Sequence, residues 1–266
     1  MRPAMDAKFG RLAHALLLTL LYLFLLAPII VVLIISFDTR QYLAFPPESL
    51  SFGSYAKVFA NAKFISAFWR SLGIGLLVGF VSIFAGLLLS LALSRHEFRG
   101  KSAINFLILA PFLVPHIVLA VGVMLVLGPL GLLDSYTGIF LAHLGITTPY
   151  TVRTITMSLM AVDRRVEEAA RVHGASPAMV LWRITLPLVR PGLIAGAVIA
   201  FLISFDEATI SLFIVSVKSS TLPTEIYHYL EYSTDPQIAA LSVILILISV
   251  IVVVAVERLI GLRKVL

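Results

Sequence analysis

The 266 residues contain no cysteine. Disulfides, thiolate zinc sites, iron–sulfur clusters and cysteine nucleophiles are therefore excluded, and redox compartment leaves no mark on the sequence. Charge is scarce as well: Asp, Glu, Lys and Arg make up 13% of the chain, about half the usual share. The six histidines are scattered, with no HxxxH or HExxH pair, so no metal site is visible. A net charge of +6 would suggest nucleic acid only if the basic residues formed one stripe, whereas they cluster between apolar runs. Gly100, Lys101 and Ser102 end like a phosphate-binding loop. Arg95 stands where that loop needs its first glycine and no strand precedes it, so a basic turn at a membrane surface accounts for it and no nucleotide site is expected in this chain.

What fills the chain is hydrophobic: 60% of residues, with a mean hydropathy of +1.04. Too little polar surface remains to cover a soluble core, and the sequence is that of a membrane protein. A bilayer core about 30 Å thick needs roughly 20 helical residues. Six stretches qualify: Leu12 to Phe37, Trp69 to Leu93, Ala103 to Leu133, Thr137 to Met160, Leu193 to Val217 and Ile238 to Val256. They are apolar on all sides rather than alternating, which argues against a β-barrel. The expected fold class is an all-α integral membrane protein with six transmembrane helices in a single domain, residues 1–266.

Basic residues orient the spans, because cytoplasmic connections carry the excess of Lys and Arg. Arg2, Lys8 and Arg11 precede span one; Arg95, Arg99 and Lys101 separate spans two and three; Arg164, Arg165, Arg171, Arg183 and Arg190 separate spans four and five; Arg258, Arg263 and Lys264 close the chain. The opposite side holds Arg40, Lys57, Lys63, Arg70 and Lys218, and Arg153 lies within span four. Both termini are expected in the cytoplasm. Span one is too long for a signal-peptide core and lacks a small-residue cleavage site, so it is expected to be retained. Residues 37–64, with Pro46, Pro47 and Gly53 as breakers, should lie along the outer surface, and Pro111 and Pro115 should kink span three.

The longest cytoplasmic connection, Asp163 to Pro191, reads DRRVEEAARVHGASPAMVLWRITLPLVRP. Asp163 is a suitable N-cap, Gly174 can take the left-handed conformation that closes a helix, and Ser176 with Pro177 can start the next. Leu186 and Pro187 should stop it. Two short helices and a tight turn make a stiff knob, thin on the side of Ala169 and Ala170.

Glu168, Ala169, Ala170, then Gly174, Ile184, Leu186 and Pro187 at their spacings resemble the EAA signature of ABC-importer permeases. The resemblance extends over most of the chain, through PFLVPHIVLAVG, SFDEATISLF and LPTEIYHYLEYSTDPQIAALS, and is closest to second permeases of spermidine/putrescine-type systems. Arg70 departs from the Asn expected before Ser71 and Leu72. The resemblance implies a type I importer permease fold in a bacterial inner membrane, with residues 163–191 as the coupling loop that docks into a cytoplasmic ATPase. It also implies a non-enzymatic chain without cofactors of its own, with ATP and Mg bound by two ATPase subunits. A second permease, a solute-binding protein and membrane lipid complete the set of partners.

Asp206 and Glu207 are the only carboxylates within a span, roughly 20 Å from the start of span five at 1.5 Å per residue. They are candidate linings of the translocation pathway, suited to a cation such as a polyamine, or alternatively partners of Arg153. Arg153 can snorkel towards the cytoplasmic side, and His116 and His143, without carboxylates at helical spacing, read as packing residues. Opine, amino-acid-like and phosphonate solutes remain open, as does, more remotely, an ion-coupled secondary transporter.

Overall fold

In lipid every backbone polar group must find its partner within the protein, and the computed structural model answers that demand with helices. It describes residues 3–216 and 219–260, with side chains from 14 to 258. The expectations resting on Arg2, Lys8, Arg11, Val217, Lys218, Arg263 and Lys264 lie outside the described residues or side chains. No strand occurs among the described residues beyond one isolated bridge between Asp38 and Leu50.

One compact unit comprises residues up to 61 together with 232–248. Its helix α1 (Pro3–Ile35) is exposed along nearly its whole described apolar length, as a helix facing lipid must be. Beyond it the chain folds onto Asp38, a buried carboxylate that accepts a 2.8 Å hydrogen bond from Arg40 Nε. The same guanidinium donates to the carbonyls of Ala44 and Pro46 and so closes a tight loop. The Arg40 hydrogen bond holds the Asp38 carboxyl below its usual range. Phe37, Phe52 and Tyr55 cluster beside this clasp, and Tyr55 shares a 2.7 Å hydrogen bond with Ser36. Helix α2 (Gly53–Ala60) follows.

The second unit comprises residues 62–231 and those after 248. It holds α3 (Ala62–Arg95), α4 (Lys101–Leu113), α5 (His116–Leu127), α6 (Tyr136–Ala161), α7 (Arg164–Val172), α8 (Pro177–Val180), α9 (Leu186–Asp206) and α10 (Thr209–Ile214), with nearly all of α11 (Leu222–Tyr232). The last helix, α12 (Pro236–Ile260), runs through parts of both units. Helices α3, α6 and α9 pack on one another through small residues. A Cβ on Gly86 would sit 2.5 Å from Thr151 Cγ2, one on Gly192 would sit 2.4 Å from Ser158 Cβ, and one on Gly79 would sit 3.0 Å from the Ala197 carbonyl. Small side chains let backbones approach where burial of apolar area from water cannot drive association.

Among the described residues, four helices are long and apolar enough to span a membrane, and α4 with α5 makes a fifth candidate only as a bent pair. The kink expected in span three is a full break at Pro115, while Pro111 is accommodated inside α4. The two helices meet at 115° around Val114 and Pro115, because Pro115 cannot continue the hydrogen-bond ladder and pushes Val114 into extended backbone. Helix α6 has the length of a span, but its threonines, His143 and Arg153 make it less apolar than the others. Its polar groups are tolerated because His143, Thr147 and Thr151 are wholly buried in protein.

Candidate translocation and coupling sites

The knob forms as capping chemistry dictates. The Asp163 carboxylate accepts from the Arg165 N–H at 2.9 Å, Gly174 takes φ +86°, and the Ser176 hydroxyl accepts from the Met179 N–H ahead of Pro177. Leu186 and Pro187 do not stop the second helix. A single π-turn, Leu181–Thr185, leads directly into α9; its wider turn relieves the clash between the Pro187 ring and the carbonyl four residues earlier. Glu168, Ala169 and Gly174 are exposed, and Ile184 and Leu186 are partly buried. Val172 and Trp182 also stand out to solvent at 86% and 70% exposure, an unusual display for side chains of that size.

Glu167, the acidic neighbour of the motif's first residue, anchors the knob. Its buried carboxylate receives hydrogen bonds of 2.9 Å from Arg95 at the end of α3 and from the Thr185 hydroxyl in the π-turn. Arg164 adds a bond to the Ser94 carbonyl. Three segments are thus tied at one carboxylate, beside a cavity of about 280 Å³ lined by Arg95, Arg164, Glu167, Arg171 and Thr185. Sequence reasoning missed this anchor. Arg95 and Glu167 lie 72 residues apart, and no spacing rule joins them.

The carboxylates of the fifth span sit where a helix breaks. Helix α9 ends at Asp206, and Glu207 is in extended backbone, so the span expected to run unbroken from Leu193 to Val217 is interrupted between the two carboxylates. Asp206 is exposed and Glu207 buried. One Glu207 oxygen accepts from the Ile210 N–H at 2.9 Å and starts α10; the other lies 3.9 Å from His116 Nδ1. The alternative partnership with Arg153 is not made among the described residues: that side chain is exposed, and the basic side chain beside Glu207 is His116, which sequence reasoning had treated as a packing residue. His116 opens α5 immediately after the break at Pro115, so two helix breaks converge on one carboxylate. Nothing in local sequence pairs them, although a proline break and an intramembrane carboxylate are each signals.

His143 is a satisfied core residue. Its two ring nitrogens lie 2.9 Å from the hydroxyls of Ser204 in α9 and Ser211 in α10, so one imidazole staples both arms of the broken helix. At the far end of α3, Arg70 reaches the Ser220 hydroxyl at 3.2 Å and the Ser71 hydroxyl accepts from the Leu222 N–H at 2.8 Å. The unexpected arginine therefore holds the segment before α11. Lys101 of the basic turn pairs with Glu97 at 2.7 Å.

A helical membrane bundle with interrupted helices and an exposed two-helix knob is the architecture of a transporter permease. Residues 82–263 match the family described as binding-protein-dependent transport system inner membrane component, and the chain belongs to that family. It is accordingly a permease subunit of the inner membrane and not an enzyme. It is similar to the spermidine/putrescine transport system permease protein PotC of Haemophilus influenzae, 31% identical over 88% of this chain and 90% of that protein. The PotC of Escherichia coli is 28% identical over 92% and 93%. The molybdate/tungstate permease WtpB of Pyrococcus abyssi is 30% identical over 83% and 88%. Among solved structures, a bacterial ABC transporter involved in alginate import shares the fold, with a TM-score of 0.71 over 98% of this chain and 99% of that one at 18% identity.

Proposed function

We propose that this chain is the second permease of an importer for polyamines of the spermidine and putrescine type, with six spans and both termini in the cytoplasm. A related permease completes the pathway, two ATPase subunits bind ATP and Mg at the cytoplasmic face, and a solute-binding protein delivers cargo from outside. The chain carries no cofactor itself. Residues 163–191 form the coupling loop, in which Glu168, Ala169, Ala170, Gly174, Ile184, Leu186 and Pro187 make the docking surface and its support. ATPase closure moves this loop, and the anchor at Glu167 transmits the movement to α3 and α9, biasing the spans between inward-open and outward-open states.

The observation that carries the polyamine reading is the pair Asp206 and Glu207 at a helix break, in a chain whose relatives over nine-tenths of its length are named for spermidine and putrescine. Broken helices are where transporters place their binding groups, and carboxylates there attract ammonium groups and repel anions. An oxyanion importer is the second reading, favoured by the similarity to the molybdate/tungstate permease; opine, amino-acid-like and phosphonate cargo are further options. Family membership replaces the ion-coupled secondary transporter.

Uptake into proteoliposomes of the full complex, normalised to assembled protein, tests the reading. Saturable ATP-dependent uptake of spermidine, without uptake of molybdate, is expected; the reverse pattern would refute it. A reporter fused after Gly174 should label from the cytoplasm and one near Ser219 from outside.

A further inference from the structure

The second oxygen of Glu207 has no hydrogen bond among the described residues. His116 Nδ1 lies 3.9 Å from it, too far for a hydrogen bond and close enough for an ion pair once the imidazole is protonated. The two side chains differ in setting. Glu207 is 6% exposed and held by the Ile210 N–H, while His116 is 53% exposed. The carboxylate is therefore fixed and its partner is free to move. The fixing is thorough: Glu207 starts α10, and His143 staples Ser204 and Ser211 on either side of it. The partner stands on the first residue after the 115° break between α4 and α5, where a small change in Val114 and Pro115 swings the ring.

We infer that His116 is a resident counter-cation for Glu207, which the ammonium group of the cargo displaces as it passes the helix break. A neutral His116 leaves the open oxygen of Glu207 to the cargo, and a protonated His116 occupies it and competes. This inference rests on the polyamine reading and adds a specificity-determining residue to it. The titratable groups around the ring are Glu207 from the end of α9 and Tyr150 of α6, which lines the same small cavity with Pro111 and Phe112. Asp206 is one residue upstream of Glu207. Imidazole is the one of these side-chain types whose ordinary charge change falls between pH 6 and 8.

The test is spermidine uptake by the complete reconstituted transporter at pH 6, 7 and 8, normalised to assembled complex, for the parent, His116→Gln and His116→Lys. The parent should transport more slowly at pH 6 than at pH 8. In His116→Gln the uptake at pH 6 should rise to that at pH 8. In His116→Lys the permanent ammonium should lower uptake at least about tenfold at every pH, the factor that 1.4 kcal/mol of competing ion-pair energy produces. His116→Gln retaining the parental pH slope, or His116→Lys transporting like the parent, would overturn the displacement alone. A parent that imports no polyamine would overturn the polyamine reading, and the displacement with it.

Discussion

Replacing Arg95 by Met removes the guanidinium from Glu167 while keeping the aliphatic stem that packs beside it. Arg95 and Glu167 have 15% and 8% of their side chains exposed, so the pair is largely withdrawn from water. Losing one partner leaves the carboxylate with a single hydrogen bond, from Thr185. Breaking a fully buried pair costs about 3–5 kcal/mol. The adjoining cavity of about 280 Å³ admits water to the stranded carboxylate, which lowers the expected cost to about 2 kcal/mol. Glu167→Gln in the same background should recover most of that loss, because a neutral amide strands no charge while its oxygen still accepts from Thr185. The knob carries its own reporter: Trp182 is 70% exposed on it, and Trp69 is the only other tryptophan. Urea titration of the Trp182 fluorescence in a Trp69→Phe background therefore measures local unfolding of the knob. A double-mutant cycle should give a coupling energy of about 1–2 kcal/mol between positions 95 and 167. Single effects that add to within about 0.5 kcal/mol would refute the anchor.

Three further outcomes are expected. Gly192→Ala should lower the yield of folded protein, since its Cβ would sit 2.4 Å from Ser158 Cβ, and adding Ser158→Gly should restore it; size-exclusion yield in detergent checks both. His143→Leu strands the hydroxyls of Ser204 and Ser211 at about 1–3 kcal/mol each and should lower the thermal stability of the purified chain, with His143→Gln milder. The Arg40 clasp lowers the pKa of Asp38, so its contribution is present above the unfolded value of about 3.9 and lost as pH falls through the lower folded value. Protease protection of the loop at residues 40–46 should persist from pH 7 to about 4 and fail below it, whereas Asp38→Asn should expose the loop already at pH 7.

The apolar runs made the helices legible because length and hydropathy are local properties, and capping made the knob legible for the same reason. Asp163, Gly174 and Ser176 each act within three residues of themselves. Breaks were harder to read. Pro115 announced a disturbance, but a mild kink and a 115° break read alike in sequence, and nothing at Asp206 announced that α9 ends there. Pro187 misled in the other direction, since a π-turn absorbs it. Contacts between distant segments left no trace: Glu167 finds Arg95 across 72 residues, and Glu207 finds His116 only because two interrupted helices meet. Arg153, the intramembrane arginine, was one candidate partner for these carboxylates, and its side chain is exposed on α6 instead.

The claim that energy enters at the exposed knob can be measured directly, because a chain with no cysteine accepts a single engineered one cleanly. Ala169→Cys places a thiol on the exposed face beside Glu168. In the assembled transporter it should cross-link to a single cysteine in the docking groove of the ATPase, with a yield that changes on adding ATP. Leu50→Cys, in the segment expected outside, should give no such product. Efficient cross-linking at position 50, or none at 169 in a complex that hydrolyses ATP and transports, would contradict the account.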